Sequence, residues 1–144
     1  MSIPSKSDWG VIDKNNLDLQ TAFDNFAGKS KAEARKMFSH NALYYQEDLM
    51  SMPTVALNYY APEFAKYILS YEAKDDSDGA SSFLYFVIEL LESNDLLASE
   101  KSKALLISTA NAVSQKQNFY DADVNIYGLF SKQYEQIVRL TKCT

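Results

Sequence analysis

A chain of 144 residues, 47% apolar, can bury one core of ordinary domain size, and its four glycines and three prolines are too few for a sheet of hairpins. A net charge of −5 argues against nucleic-acid binding, because phosphates would be repelled. With one histidine and one cysteine, His40 and Cys143, the chain lacks the four nitrogen or sulfur ligands of a structural zinc site and cannot form an internal disulfide.

Taken in order, the pattern predicts an all-α fold, one helical domain over 1–144 with about five to seven helices, its first part, 1–16, an extended arm. The arm docks through Trp9-Gly10-Val11-Ile12. Leu17, Leu19, Ala22, Phe23 and Phe26 give the first helix, stopped at Gly28. Ser30-Lys31-Ala32-Glu33 reads as a capping box. Behind it Ala34, Met37, Phe38, Ala42 and Tyr45 recur at three- and four-residue steps. A break is expected near Ser39-His40-Asn41, where His40 serves as a capping or turn residue, and the helix resumes through Leu49.

Met50-Ser51-Met52-Pro53 marks a turn, since the residue before a proline avoids the helical region. A helix restarts at Thr54, and Pro62 either kinks it or opens a new one. Phe64, Tyr67, Ile68 and Tyr71 then form an apolar stripe. Lys74-Asp75-Asp76-Ser77-Asp78-Gly79 reads as a loop. Phe83, Phe86, Val87, Leu90 and Leu91 make the next stripe, widened by Tyr85 and Ile88, and Asn94-Asp95 ends it. Ser99 caps a helix carrying Leu105, Leu106, Thr109, Ala110 and Val113. Asp121 caps the last, with Ile126, Tyr127, Phe130, Tyr134, Ile137 and Val138 on one face. Gly128 inside that helix costs about 1 kcal/mol against alanine. The expected core comprises Phe64, Ile68, Phe83, Val87, Leu90, Leu106, Val113, Phe130 and Ile137.

Charge is unevenly distributed. Residues 1–43 carry a net +1, residues 44–100 a net −9 and residues 101–144 a net +3. A block of that sign attracts a basic partner and speeds the encounter. Two segments are the candidate partner-binding residues: Asp75, Asp76 and Asp78 in the loop, and Tyr120, Asp121 and Asp123 at the start of the last helix. Sequence leaves open whether they share a face.

Catalytic and metal chemistry find little support. A calcium loop fails on spacing: with Gly79 at position six, Lys74 falls at position one, and counting from Asp75 puts Ala80 at six and Phe86 at twelve. Ser39 and His40 are adjacent, so on a helix they do not face each other as nucleophile and base. Glycines at 10, 28, 79 and 128 cannot form a phosphate loop. No catalytic residue, metal or cofactor is expected. A cleft in which distant carboxylates converge with raised pKa values would reopen the question.

One stretch is distinctive. Leu43-Tyr44-Tyr45-Gln46-Glu47-Asp48-Leu49 leads through Pro53 to Ala56-Leu57-Asn58-Tyr59-Tyr60-Ala61-Pro62-Glu63-Phe64. Its two tyrosine pairs and Tyr-Tyr-x-Pro-x-Phe step resemble a phrase in small acidic helical bacterial proteins, some encoded beside toxins. Those proteins tend to read Tyr-Tyr-Leu-Pro, where this chain has Ala61. The resemblance implies an immunity-like protein that neutralises a secreted toxin. A basic toxin, for instance a nuclease, fits the acidic block, and a helical adaptor or chaperone without a toxin partner is the alternative. The N-terminal Met1-Ser2-Ile3-Pro4-Ser5-Lys6-Ser7-Asp8 lacks a signal-peptide core, and no run approaches the ~18 apolar residues of a membrane span. The expected location is the cytoplasm, with a protein partner and no membrane contact.

Overall fold

The structure, a computed structural model, describes residues 2–93 and 99–142. Those residues form an all-helical domain: α1 (Leu17–Phe26), α2 (Lys31–Leu49), α3 (Thr54–Leu69), α4 (Ser77–Glu92), α5 (Glu100–Ser114), the single turn α6 (Val124–Tyr127) and α7 (Phe130–Lys142). Helix α3 packs against α2 and α5, and α4 against α7, α2 and α5. Among the described residues no helix is long and apolar enough to cross a membrane.

The starts of α2 and α5 follow the sequence signals. Ser30 and Glu33 form the reciprocal capping box, with Glu33 N–H donating to Ser30 Oγ at 3.1 Å and Ser30 N–H to Glu33 Oε1 at 2.9 Å. Ser99 Oγ accepts from the Ser102 amide at the head of α5. Gly28 has φ +79° and turns the chain out of α1, a conformation a side chain would resist. The expected break in α2 falls at Asn41, whose backbone is non-helical (φ −161°, ψ 78°). Its side-chain oxygen accepts from the Tyr44 amide and so caps the second half of the helix.

A line of aromatic rings crosses the core. Phe26 tilts against Tyr60 at 5.1 Å and Phe38 at 5.7 Å, Phe38 stacks on Phe64 at 4.9 Å, and Phe64 meets Phe83 edge-on at 5.0 Å. All nine expected core residues are buried. Of the two tyrosine pairs, Tyr59 and Tyr60 are buried, and Tyr45 packs edge-on against Phe26, while Tyr44 is half exposed. The Tyr60 hydroxyl shares its one proton between the carbonyls of Phe26 and Lys29, both at 2.8 Å. Burial pushes its pKa up to about 12, so it stays a donor.

Several expectations are corrected. The last helix does not run from Asp121 through Gly128. Asp123 caps α6, accepting from the Asn125 amide, and Gly128 at φ +76° ends it before α7 begins. Ile126 consequently faces solvent. Pro62 opens no new helix: α3 runs through it. Tyr71, Tyr85 and Leu17 are exposed rather than part of their stripes, because α3 ends at Leu69 and the outer faces of α4 and α1 meet water. The arm docks chiefly through Trp9, in a 3-10 turn, edge-on to Phe23, with Pro4 also buried and Ile12 half-buried, whereas Val11 is exposed. Asn94-Asp95 and Cys143 lie outside the described residues.

Candidate partner-binding face

The segment read as a loop is largely a helix start. Asp76 is the N-cap of α4, its Oδ1 accepting from the Gly79 amide at 2.9 Å. Its Oδ2 accepts from the Tyr67 hydroxyl at 2.6 Å. Asp78 lies in the first turn of α4, where a carboxylate suits the positive end of the helix dipole. Its Oδ1 accepts from the Tyr127 hydroxyl at 2.6 Å, and that hydroxyl also lies 3.0 Å from Ser77 Oγ. Asp75 has φ +66°, a left-handed backbone that aspartate tolerates better than most residues, and its amide donates to the Phe119 carbonyl at 3.0 Å.

These bonds join the two acidic segments: residues 74–78 are tied directly to residues 119–127. Asp75, Asp78, Asp121 and Asp123 are exposed there, and Asp76 is half-buried. Tyr120 is not on the surface. It is buried, and its hydroxyl donates at 2.7 Å to the Ile68 carbonyl, one of the acceptors left open at the end of α3. It anchors the segment from beneath. Asp121, with φ +52°, turns the chain rather than capping a helix.

The tyrosines that hold this face resist ionisation. Burial raises the Tyr67 pKa, with its bond to Asp76 and that carboxylate's charge adding to the effect. Burial, helped by Asp76, pushes Tyr120 up to about 12. Tyr127 is raised chiefly by its bond to Asp78. All three therefore remain phenol donors across the physiological range.

Sequence reasoning missed two parts of the face. Glu72 joins it, lining with Asp75, Asp76 and Asp78 a recess of about 360 Å³ that opens against His40 and Asn41 at the break in α2. Val124, Ile126 and Leu129 supply exposed apolar surface beside Asp121 and Asp123. A signal for the latter was present: Gly128 interrupts the helical period, so the residues before it need not share the face of α7. His40 is exposed and still helical immediately before the break; Asn41, not His40, takes the capping and turn position there.

A second acidic recess, of about 440 Å³, gathers Asp18, Glu47, Asp48 and Glu89 with Tyr44 and Thr21. Carboxylates from α1, α2 and α4 gather there, but Asp18, Glu47 and Glu89 are exposed and of the four only Asp48 is buried, so the recess is not an enclosed cleft of carboxylates. Burial raises the pKa of Asp48, partly offset by the hydrogen bond from Asn25 at 2.8 Å, and Glu47 and Asp18 push it further up. Among the described residues, no group of three or more histidine, cysteine, aspartate or glutamate side chains is placed to hold a metal ion.

The fold and this face define an all-α domain with two acidic segments joined on one surface. Comparison with protein-family models, curated proteins and solved structures finds no match to the chain.

Proposed function

We propose that this chain is a non-enzymatic binding protein, an immunity protein of bacterial cytoplasm that neutralises a basic toxin, such as a nuclease, by covering its site. The observation that carries the reading is the joining of residues 74–78 to 119–127. It brings exposed Asp75 and Asp78 into the neighbourhood of exposed Asp121 and Asp123, although more than 40 residues separate the segments in sequence. Lys74 is the one base within these two segments. Charges fixed in this way complement a positive cleft built for phosphate, steer association and repel acidic competitors. Exposed Val124 and Ile126 beside the acids add apolar area of the kind that binding energy needs.

The test uses the product of the gene adjacent to this one. Binding kinetics are measured at rising salt for the wild type and for the combined Asp75→Ser, Asp78→Ser and Asp121→Asn variant. Asp76 is left intact because it caps α4. The reading expects tight binding of a basic domain, an on-rate that falls with salt, and a slower, less salt-dependent on-rate in the variant. A partner with an acidic face, or a rate and slope unchanged by the substitutions, overturns it. Binding to an unrelated assembly without toxin activity favours the adaptor alternative.

A further inference from the structure

The recess at the acidic face continues into a second one of opposite charge. The second, about 790 Å³, is lined by Lys31, Arg35 and Lys36 of α2 and shares Ser39, His40, Tyr67 and Glu72 with the first. A single groove thus runs along α2, with Lys31, Arg35 and Lys36 at one end, Asp75, Asp76 and Asp78 beside Lys74 at the other, and Glu72 between them. Arg35 is committed internally: its guanidinium holds the fully buried Glu63 at 2.9 Å. Lys31 and Lys36 are not, and neither they nor Glu72 and Asp75 form an ion pair among the described residues. Lys31 only overhangs the Tyr59 ring, 5.4 Å from its centroid.

We propose that this groove pairs with the same groove of a second copy of the chain, giving a two-fold symmetric dimer. A surface split into halves of opposite sign is self-complementary. A two-fold axis near the shared residues His40 and Tyr67 lays the basic half of each copy over the acidic half of the other. A partner of one charge sign satisfies only one half of the groove. Another copy satisfies both, and each ionic contact is made twice. The contact is polar and exposed to salt, so it belongs with weak, small interfaces. It covers Asp75, so a basic partner and the second copy compete for the acidic half. The pairing itself does not depend on that partner's existence.

The test is sedimentation of the full chain from micromolar to about 0.5 mM, the range where small polar interfaces associate. A dimer is expected at about 0.1 M salt, weakened at least tenfold at about 1 M, where the screening length drops from about 10 to 3 Å. Lys31→Glu with Lys36→Glu makes both halves acidic, and Glu72→Lys with Asp75→Lys sets three lysines, Lys74 included, against Asp76 and Asp78 and so makes both basic. Each doubly substituted chain is expected to be monomeric alone, whereas an equimolar mixture of the two forms a heterodimer, because both contacts are then attractive again. Circular dichroism melts check that each variant folds. Since lysine at the left-handed Asp75 position adds strain, Glu72→Lys alone serves as the milder basic variant and is expected to weaken self-association. A monomer at every concentration and salt, or a dimer indifferent to either charge reversal, overturns the proposal.

Discussion

Glycine inside a helix ordinarily costs about 1 kcal/mol against alanine, yet Gly79→Ala should destabilise this protein. Gly79 is the third residue of α4 and is buried. A Cβ built there falls onto Asp76 Oδ2 and lies 2.7 Å from Asp76 Cγ. The carboxylate would have to leave, and it is not a free side chain: one oxygen caps the Gly79 amide and the other takes the Tyr67 hydroxyl. Losing the cap costs about 1 kcal/mol. Losing a hydrogen bond to a charged group costs about 1.5–3 kcal/mol. Against the gain of about 1 kcal/mol in helix propensity, the net expectation is a loss of about 1.5–3 kcal/mol. In urea denaturation followed by circular dichroism this lowers the midpoint without changing the slope, and it lowers Tm by roughly 2–5 °C per kcal/mol. The decisive comparison is Gly79→Ala in an Asp76→Ala background, where the added methyl meets no carboxylate and should be neutral or stabilising by up to about 1 kcal/mol. If Gly79→Ala melts at or above wild type in the presence of Asp76, the close approach of cap and glycine is wrong.

Tyr120→Phe should cost about 1–2 kcal/mol in the same assay, because the Ile68 carbonyl loses its donor inside the protein. A midpoint equal to wild type would show that Tyr120 does not anchor the segment. Asp48→Asn should stabilise the protein at neutral pH. Burial raises the folded-state pKa of Asp48 above its ordinary value of 3.8, so the stability linked to its protonated form is fully present below that value and is lost as pH rises through the folded pKa. The advantage of the Asp48→Asn variant over wild type should therefore shrink as pH falls through the acid range. A constant difference from pH 3 to 7, roughly the span of carboxylate titration, would contradict a raised pKa.

Much of the fold was legible because helix signals here are local. The capping box at Ser30, the break at Asn41, the stop at Gly28 and the periodic cores of α3, α4 and α5 each depend on residues within one or two turns. The errors came where local and tertiary demands differ. Asp76 and Asp78 look like loop residues because acids and a glycine cluster there, but an acid-rich run also describes the first turn of a helix, and only the Tyr67 and Tyr127 hydroxyls reveal which applies. Tyr120 looked like a surface residue beside two aspartates. Its burial follows from the open carbonyl of Ile68, 52 residues earlier, which no local pattern encodes. The contact of the two acidic segments was likewise invisible, since it rests on side chains meeting across some 50 residues.

The same long-range contacts change what the block of net charge −9 means. Glu63 belongs to that block, but Arg35 and Lys66 hold both its oxygens, at 2.9 and 3.0 Å, so it contributes no field at the surface. Asp48 lies in the other recess, and Asp76 is spent on a cap and a phenol. What the candidate face presents outward from that stretch is Glu72, Asp75 and Asp78. The remainder comes from Asp121 and Asp123, which sit in the part of the chain whose net charge is positive. A count along the sequence thus assigns acids to the face that do not reach it and omits two that do. The difference is made by tyrosine hydroxyls that fix one segment against the other. The carboxylates of Asp78, held by the Tyr127 hydroxyl, and of Asp123, held by the Asn125 amide, lose little further freedom on association, so their attraction for a basic surface is not offset by the entropy of ordering a mobile acidic loop.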